Sequence, residues 1–357
     1  VEQEIKLPSE EEIAEASQAN IEEQVGPEDV QVEQDEDGGA TITFDPEAVN
    51  QPGTNEHFDN LADLLPEDVL GRLGSELFEN YTQYKASRKD WEDAYTKGLD
   101  LLGFKYETRS QPFSNASGAT HPVLAEAVTQ FQAQAYKELL PATGPVHTQI
   151  MGIPSRQKEE QSTRVKNFMN YQLMNVMKEY EPEFDQLLFY LPLSGSAFKK
   201  IYYDEILDRA VSKFVPADDL IVPYTATSLE DADSIVHVLK MSENELRKKQ
   251  VSGFYRDIEI TPGYAQETEV EKKERELEGV KKTRDEQMFT ILEIHTNIDL
   301  EGFEDKDQEQ NPTGIKLPYI VTIDTSSREV LSIRRNYKPE DPLKRKVEYF
   351  AHFKFLP

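Results

Sequence analysis

The chain has 357 residues and a formal net charge of −29, with a pI of about 4.6, which excludes a protein that grips nucleic-acid phosphates over its whole surface. It has no cysteine, so disulfides, thiolate metal sites and a thiol nucleophile are all out of reach. No apolar run approaches the ~18 residues of a membrane span, and the first residues are acidic rather than basic then apolar, so the chain reads as soluble, made in a cytoplasm and without a membrane partner.

The charge is unevenly placed. Residues 1 to 65 hold 19 Asp or Glu and one Lys, a net of −18, which leaves −11 for the other 292 residues. Phe44 and Phe58 are the only aromatics of that acidic segment, so it cannot bury enough apolar area to offset the entropy of ordering, and a largely disordered tail is expected over 1–65. Ile13 to Ile21 could make a short helix and Ala40 to Phe44 a short strand. The body that follows is long enough for about two domains.

From Glu67 the pattern is helical. Leu70, Leu73, Leu77, Tyr81, Tyr84, Trp91, Tyr95, Leu99 and Leu102 recur at spacings of three and four, with Arg88 the one polar occupant of the stripe and Trp91 an anchor. Gly71, Gly74 and Gly98 leave one bent helix or two consecutive helices open. A second helical stretch starts near Pro122, carries Leu124, Ala127, Val128, Phe131, Ala135 and Leu139 on one face, and stops at Pro141. After a TGPV turn and a strand-like stretch, His147 to Ile153, a third helix is predicted from about Arg156 to Tyr180. Val165, Phe168, Met169, Leu173, Val176 and Met177 are its inward face, and Glu181 and Pro182 break it. Phe184, Leu187, Leu188, Phe189 and Leu191 then make a short apolar helix.

The stretch Ser194 to Lys249 organises the rest. It reads as a strand over SAFKKIYYD, a second strand with Val211, Phe214 and Val215, a carboxylate-rich excursion, and a third strand ending at Leu239. Ser242 and Glu245 then form a capping box, flanked by Met241 and Leu246 as a hydrophobic staple, so a strand feeds directly into a helix. Beyond it, Glu267 to Glu286 alternates charge as a solvent-facing helix would. Met288 to Ile298, Ile315 to Ile323 and Glu329 to Ile333 are strands, the last two joined by the turn DTSSR. The sum is an α+β arrangement of long helices beside a small mixed sheet.

Catalytic signatures are missing. There is no GxxxxGK[ST] loop, no GxSxG elbow and no HExxH or HxH pair among the six histidines, His57, His121, His147, His237, His295 and His352. Asp218 with Asp219, and Glu230, Asp231 and Asp233, are the tightest acidic groups. Placed near Lys213, Asp218, Asp219 and Asp231 could serve a metal-dependent nuclease, but consecutive carboxylates point opposite ways on a strand and commonly occupy turns. From Asn311 to Pro357 the balance reverses, with nine Lys or Arg against five Asp or Glu. Arg334, Arg335, Lys338, Lys344, Arg345 and Lys346 cluster there, and Arg247, Lys248 and Lys249 sit late in the capped helix, where cations suit its dipole. Each set could meet passing phosphates or an acidic partner, or be a solvated surface.

The segments GSAFKKIYYD, VPADDLIVP, DADSIVH and MSENELR, in that order, with SGATHPVLAEAVTQFQAQAYKELLP upstream and Tyr319 to Pro357 downstream, resemble the N-terminal half of the portal (head-to-tail connector) proteins of tailed bacteriophages, the short-tailed kind in particular. The resemblance runs from about Glu67 to the end. It implies a non-enzymatic structural protein of the virion without a cofactor. Such a protein assembles in the host cytoplasm as a ring, by resemblance a dodecamer, at the unique capsid vertex. Double-stranded DNA would pass through its channel, and the major capsid protein, the terminase motor and tail adaptor proteins would be its partners. On this likeness residues 66–240 correspond to a wing, 241–287 to the start of a stem and 288–357 to a clip-like region, with the family's further segments expected beyond Pro357. Arg247, Lys248, Lys249 and the Arg334 to Lys346 cluster would be its channel or partner contacts. A nuclease, or an acidic capsid adaptor or scaffold, are the competing expectations.

Overall fold

A computed structural model describes residues 30–34, 40–44, 57–102, 113–114, 116–118, 121–204, 207–260, 268–279, 288–306 and 311–355, which belong to two units, Val1–Asp59 and Asn60–Pro357. In the first unit β1 (Val30–Gln34) pairs antiparallel with β2 (Ala40–Phe44), with Val32 opposite Ile42. The strand expected at Ala40 is therefore present, and its partner β1 is an addition. The helix expected at Ile13 to Ile21 and the disorder expected of most of the tail lie outside the described residues.

The second unit begins earlier than composition suggested. Leu61 and Ala62, assigned to the tail by sequence, are 1% and 0% exposed. Asn60 explains their anchoring: its Oδ1 accepts from Ile333 N at 2.9 Å and its Nδ2 donates to the Leu331 carbonyl at 3.2 Å. A side-chain amide thus satisfies backbone groups of a strand that, among the described residues, has no further strand beside it.

Helix α1 (Glu67–Ser87) follows, then α2 (Lys89–Leu102), so the long apolar stripe is two helices. The break falls at Arg88 rather than at a glycine. Its guanidinium donates to the carbonyls of Ala217 (3.0 Å), Asp218 (2.5 Å) and Leu220 (3.2 Å) and lies over the Trp91 ring, which explains a cation within an apolar stripe. Gly74 has a packing role instead: a Cβ there would overlap the Arg328 carbonyl oxygen, so only glycine lets α1 approach this turn.

Next come α3 (Val123–Leu139), α4 (Arg156–Tyr171), a π-helical turn at Gln172–Val176 and α5 (Tyr180–Ser194). The predicted break at Glu181 and Pro182 is corrected. The chain turns at Met177, and Pro182 lies in the first turn of α5, where a missing N–H costs nothing. Gly195, at φ +76°, ends α5 in the left-handed region.

Two sheets follow. In one, β3 (Ser196–Asp204) pairs with β4 (Arg209–Val215) on one side and β10 (Phe350–Lys354) on the other. The other has five strands in the order β5 (Leu220–Ile221), β6 (Ser234–Ser242), β7 (Met288–Ile298), β8 (Leu317–Asp324) and β9 (Val330–Arg335). All of these pairings are antiparallel, so the mixed sheet read from sequence is corrected to two antiparallel ones. Within the five-stranded sheet each strand pairs with the next along the chain, and the β6–β7 pair stays antiparallel although two helices lie in its connection.

Period two divides β7 between its faces. Leu292 and Ile294 join Leu70, Leu77, Val321 and Ile333 in the core beneath α1, while Phe289 and Ile291 pack with Met241, Leu246, Tyr255 and Leu331 on the opposite face. Each such fully buried aliphatic side chain contributes about 1.5–3 kcal/mol. Ser242 and Glu245 make the predicted capping box, and α6 (Glu243–Val251) is followed by Gly253, φ +69°, which turns the chain back so that Arg256 N donates to the Leu331 carbonyl at 2.8 Å. A last helix, α7 (Glu269–Glu278), packs on α2 through Val270, Tyr95 and Leu99, and Lys240 meets Glu271 at 2.7 Å. It is one-sidedly covered rather than wholly solvated. The five-stranded sheet therefore crosses the segment boundaries at 240 and 287, since β6 is hydrogen-bonded to β7 along its length.

Candidate functional site

Most of the cations singled out by sequence are engaged within the chain. Arg247 pairs with Asp257, Arg345 with Asp341 at 2.8 Å, and Lys344 with Asp305 at 2.5 Å. The Lys346 ammonium donates to the carbonyls of Leu229 (3.1 Å) and Glu230 (3.2 Å), and Arg335 lies over Phe303. Lys249 and Arg334, 85 residues apart in sequence, converge on one ring: Phe254 has the Lys249 ammonium 5.2 Å and the Arg334 guanidinium 4.4 Å from its centroid. Burial, and then the neighbouring Lys200 charge, push the Lys249 ammonium below its usual range. Lys248 and Lys338 are exposed. The fold thus joins the two sequence clusters at Phe254 and spends most of their charge on its own carboxylates, carbonyls and rings.

The strongest electrostatic arrangement was not singled out by sequence. Lys200 on β3 reaches across to Glu293 on β7, its Nζ 2.6 Å from Oε1 and 2.7 Å from Oε2. His295 Nε2 lies 2.8 Å from the same Oε1, and His237 Nδ1 stands 4.0 Å away, too far for a hydrogen bond. Burial opposes ionisation of Glu293. The Lys200 ammonium and the His295 contact outweigh it and hold the carboxyl well below the usual carboxylate range. Burial lowers His237, which favours the neutral ring. Phe350 and Tyr349 cover the cluster, with Phe350 5.2 Å from His295 and 5.5 Å from His237. A cleft of about 560 Å³ opens beside it, floored by Ile235, His295 and Phe350 and edged by Glu230, Glu348 and His352. With both carboxylate oxygens taken by one ammonium, the cluster is a clasp between the two sheets. A sequence signal for it existed: Glu293 interrupts the apolar strand MFTILEIHTNI, and a carboxylate in a buried strand needs a partner.

Lys199, the neighbour of Lys200, faces the other way, as strand periodicity requires. It is 3% exposed, with its Nζ 4.2 Å from the Tyr180 ring centroid and 5.0 Å from that of Phe184. Burial pulls its pKa down to about 8.

The carboxylates considered for metal chemistry separate. Asp231 closes a local turn, accepting from the Ser228 hydroxyl at 3.1 Å. Asp218 and Asp219 face Lys240, Glu271 and Arg88, and burial followed by the Asp218 charge pushes Asp219 up to about 7. Among the described residues no group of three or more His, Asp or Glu converges as metal ligands.

Helix α4 departs most from its sequence reading. Val165, Phe168 and Met169, expected to face inward, are 53%, 59% and 41% exposed, and of the predicted face only Met177, beyond the helix, is buried. No residue of α4 is buried. Similarly, Ala127 and Leu139 of the predicted α3 face are exposed, and Val128 is the buried residue of that helix. No family model matches the chain, and no curated protein matches it either.

Proposed function

We propose that this chain is a subunit of a ring of the portal type, standing at one vertex of a phage head. The ring forms the passage through which an external packaging motor drives double-stranded DNA and through which the genome later leaves. By resemblance the ring is a dodecamer, docked to the major capsid protein, the terminase motor and tail adaptor proteins, and it performs no covalent chemistry.

One observation carries this reading. Three of the segments that resemble portals lie far apart in the chain yet share one packed core: Phe131, Ala135 and Tyr136 from the upstream one, Ala197 from GSAFKKIYYD, and Phe353 from the closing one, all around Leu187 and Leu188 of α5. Distant segments that share a likeness and also pack together are what a common architecture would require, which supports the reading.

The charge arrangement supplies the mechanism. A passage for a polyanion must not hold it, because each phosphate neutralised by a cation adds affinity that movement must break. With most of the clustered cations singled out by sequence engaged internally and a net of −11 over residues 66–357, exposed Lys248 and Lys338 supply only weak contacts. Negative-stain imaging of the purified full chain tests the proposal. Rings with a central channel are the expected result; a monomer at every concentration, absent from virus particles, would overturn it.

A further inference from the structure

Helix α4 leaves its apolar residues exposed, and its best-covered positions are polar. Ser162, Lys166 and Asn170, four residues apart, are its partly covered line. Ser162 Oγ donates to Thr148 Oγ1 at 2.8 Å, and Asn170 brackets Val146, accepting from its N–H at 2.9 Å and donating to its carbonyl at 3.1 Å. Gly144, at φ +94°, makes room for the Asn170 amide, where a Cβ would collide. A polar line therefore ties the extended segment 144–148 to the helix. The apolar line, Val165, Phe168 and Met169, flanks it and is left exposed, and Met151 and Ile153 at the end of the same segment are each 83% exposed. The helix spans 16 residues, about 24 Å. Among the described residues nothing buries its apolar line, and uncovered apolar surface of this extent marks an interaction site.

The charge of the helix says what kind of partner fits. Arg156, Lys158, Arg164 and Lys166 stand against Glu159 and Glu160, a net of +2 in a chain of −29. A nucleic acid would match the cations but leave Phe168 and Met169 wet, and Arg156 is already paired with Glu160 at 3.1 Å. An acidic protein surface with apolar patches matches both features. The body of the chain is itself such a surface, with a net of −11 over residues 66–357 and exposed apolar side chains such as Leu101.

We propose that α4 with residues 144–153 is an arm whose apolar line packs against the acidic body of the adjacent copy of this chain, making the contact between neighbours head-to-tail. Such a contact is heterologous, and it closes into a ring when the rotation between copies divides a full turn. This rests on the ring reading above and adds the surface that builds the ring.

The test compares the full chain with the F168E/M169E double variant by mass photometry over a concentration series, alongside carbodiimide cross-linking of a mixture of ¹⁴N- and ¹⁵N-labelled wild-type chains. The wild type is expected to form closed oligomers. The variant, with unchanged circular dichroism, is expected to raise the concentration needed for assembly by at least about 30-fold. Cross-links from Lys158 or Lys166 should join light to heavy chains at Asp or Glu residues. If the wild type assembles and the variant assembles equally well, the arm proposal is overturned while the ring reading stands; cross-links confined to a single copy overturn it likewise. A variant that assembles but loses DNA binding assigns the arm to nucleic acid and also overturns it. A wild type that never assembles overturns both. If the double variant misfolds, V165S and the wild-type isotope pattern decide the matter alone.

Discussion

Strand β7 and helix α4 both carry a regular apolar line, and the fold treats them oppositely. On β7 the line is covered on both faces, by α1 on one side and by α6 and the three-stranded sheet on the other, so that even Glu293 is drawn in and clasped by Lys200. On α4 the apolar line faces out, and hydrogen bonds from Ser162 and Asn170 hold the helix to the rest of the chain. Apolar periodicity therefore marks a surface to be buried without saying whose surface buries it. In β7 the chain supplies the cover; on α4 we propose that the next copy does.

The contrast can be broken at its strongest point first. E293Q removes the partner of an enclosed ammonium and should cost about 3–5 kcal/mol of unfolding free energy at pH 7, because Lys200 would be left without its partner. Because the Glu293 carboxyl is held well below its usual value of about 4.3, its contribution is fully present above that value. It is lost as the pH falls through the depressed folded value, so the penalty should shrink in acid. Urea unfolding at pH 7 and at pH 3.5 measures both, and an equal penalty at the two would sink the clasp. L292A, at a position 0% exposed, should cost about 2–5 kcal/mol in the same measurement.

D219N probes a site where burial works against the fold. The carboxyl is pushed up to about 7, so its favourable contribution is complete below the unfolded value of about 3.9 and is lost as the pH rises toward 7. The amide should therefore melt at a higher temperature than the wild type at pH 8, with the difference closing near pH 4. Thermal scans at the two pH values check this, and a variant less stable at pH 8 would contradict it. Smallest of all should be F168A, within about 0.5 kcal/mol in the unassembled chain, since the ring is exposed. A loss above 2 kcal/mol there would mean that the chain covers its own arm.

Much of the chain could be read in advance where one periodic signal was strong. The strand Met288–Ile298, the capping box at Ser242 and Glu245, the start of α3 after Pro122 and the apolar helix before Ser194 all follow from local spacing and end chemistry. Partners were the harder part. Lys249 and Arg334 were noticed in separate clusters because nothing local says that they meet on Phe254. Nothing local tells Lys199 from Lys200, although one is enclosed by the Tyr180 and Phe184 rings and the other clasps Glu293.

Sequence by itself determined the α+β class, the positions of most strands and helix ends, the acidic leader and the basic reversal near the C-terminus, since each depends on neighbours within a few residues or on composition. Tertiary structure alone decided that β10 returns to β3, that Glu293 is tied to Lys200 ninety-three residues away, and that α4 turns its apolar line outward. The physical reason is that backbone geometry and capping are settled over one or two turns of chain, whereas burial and charge pairing depend on which distant surface arrives. A carboxylate or an apolar stripe states a need, and only the assembled fold shows what answers it.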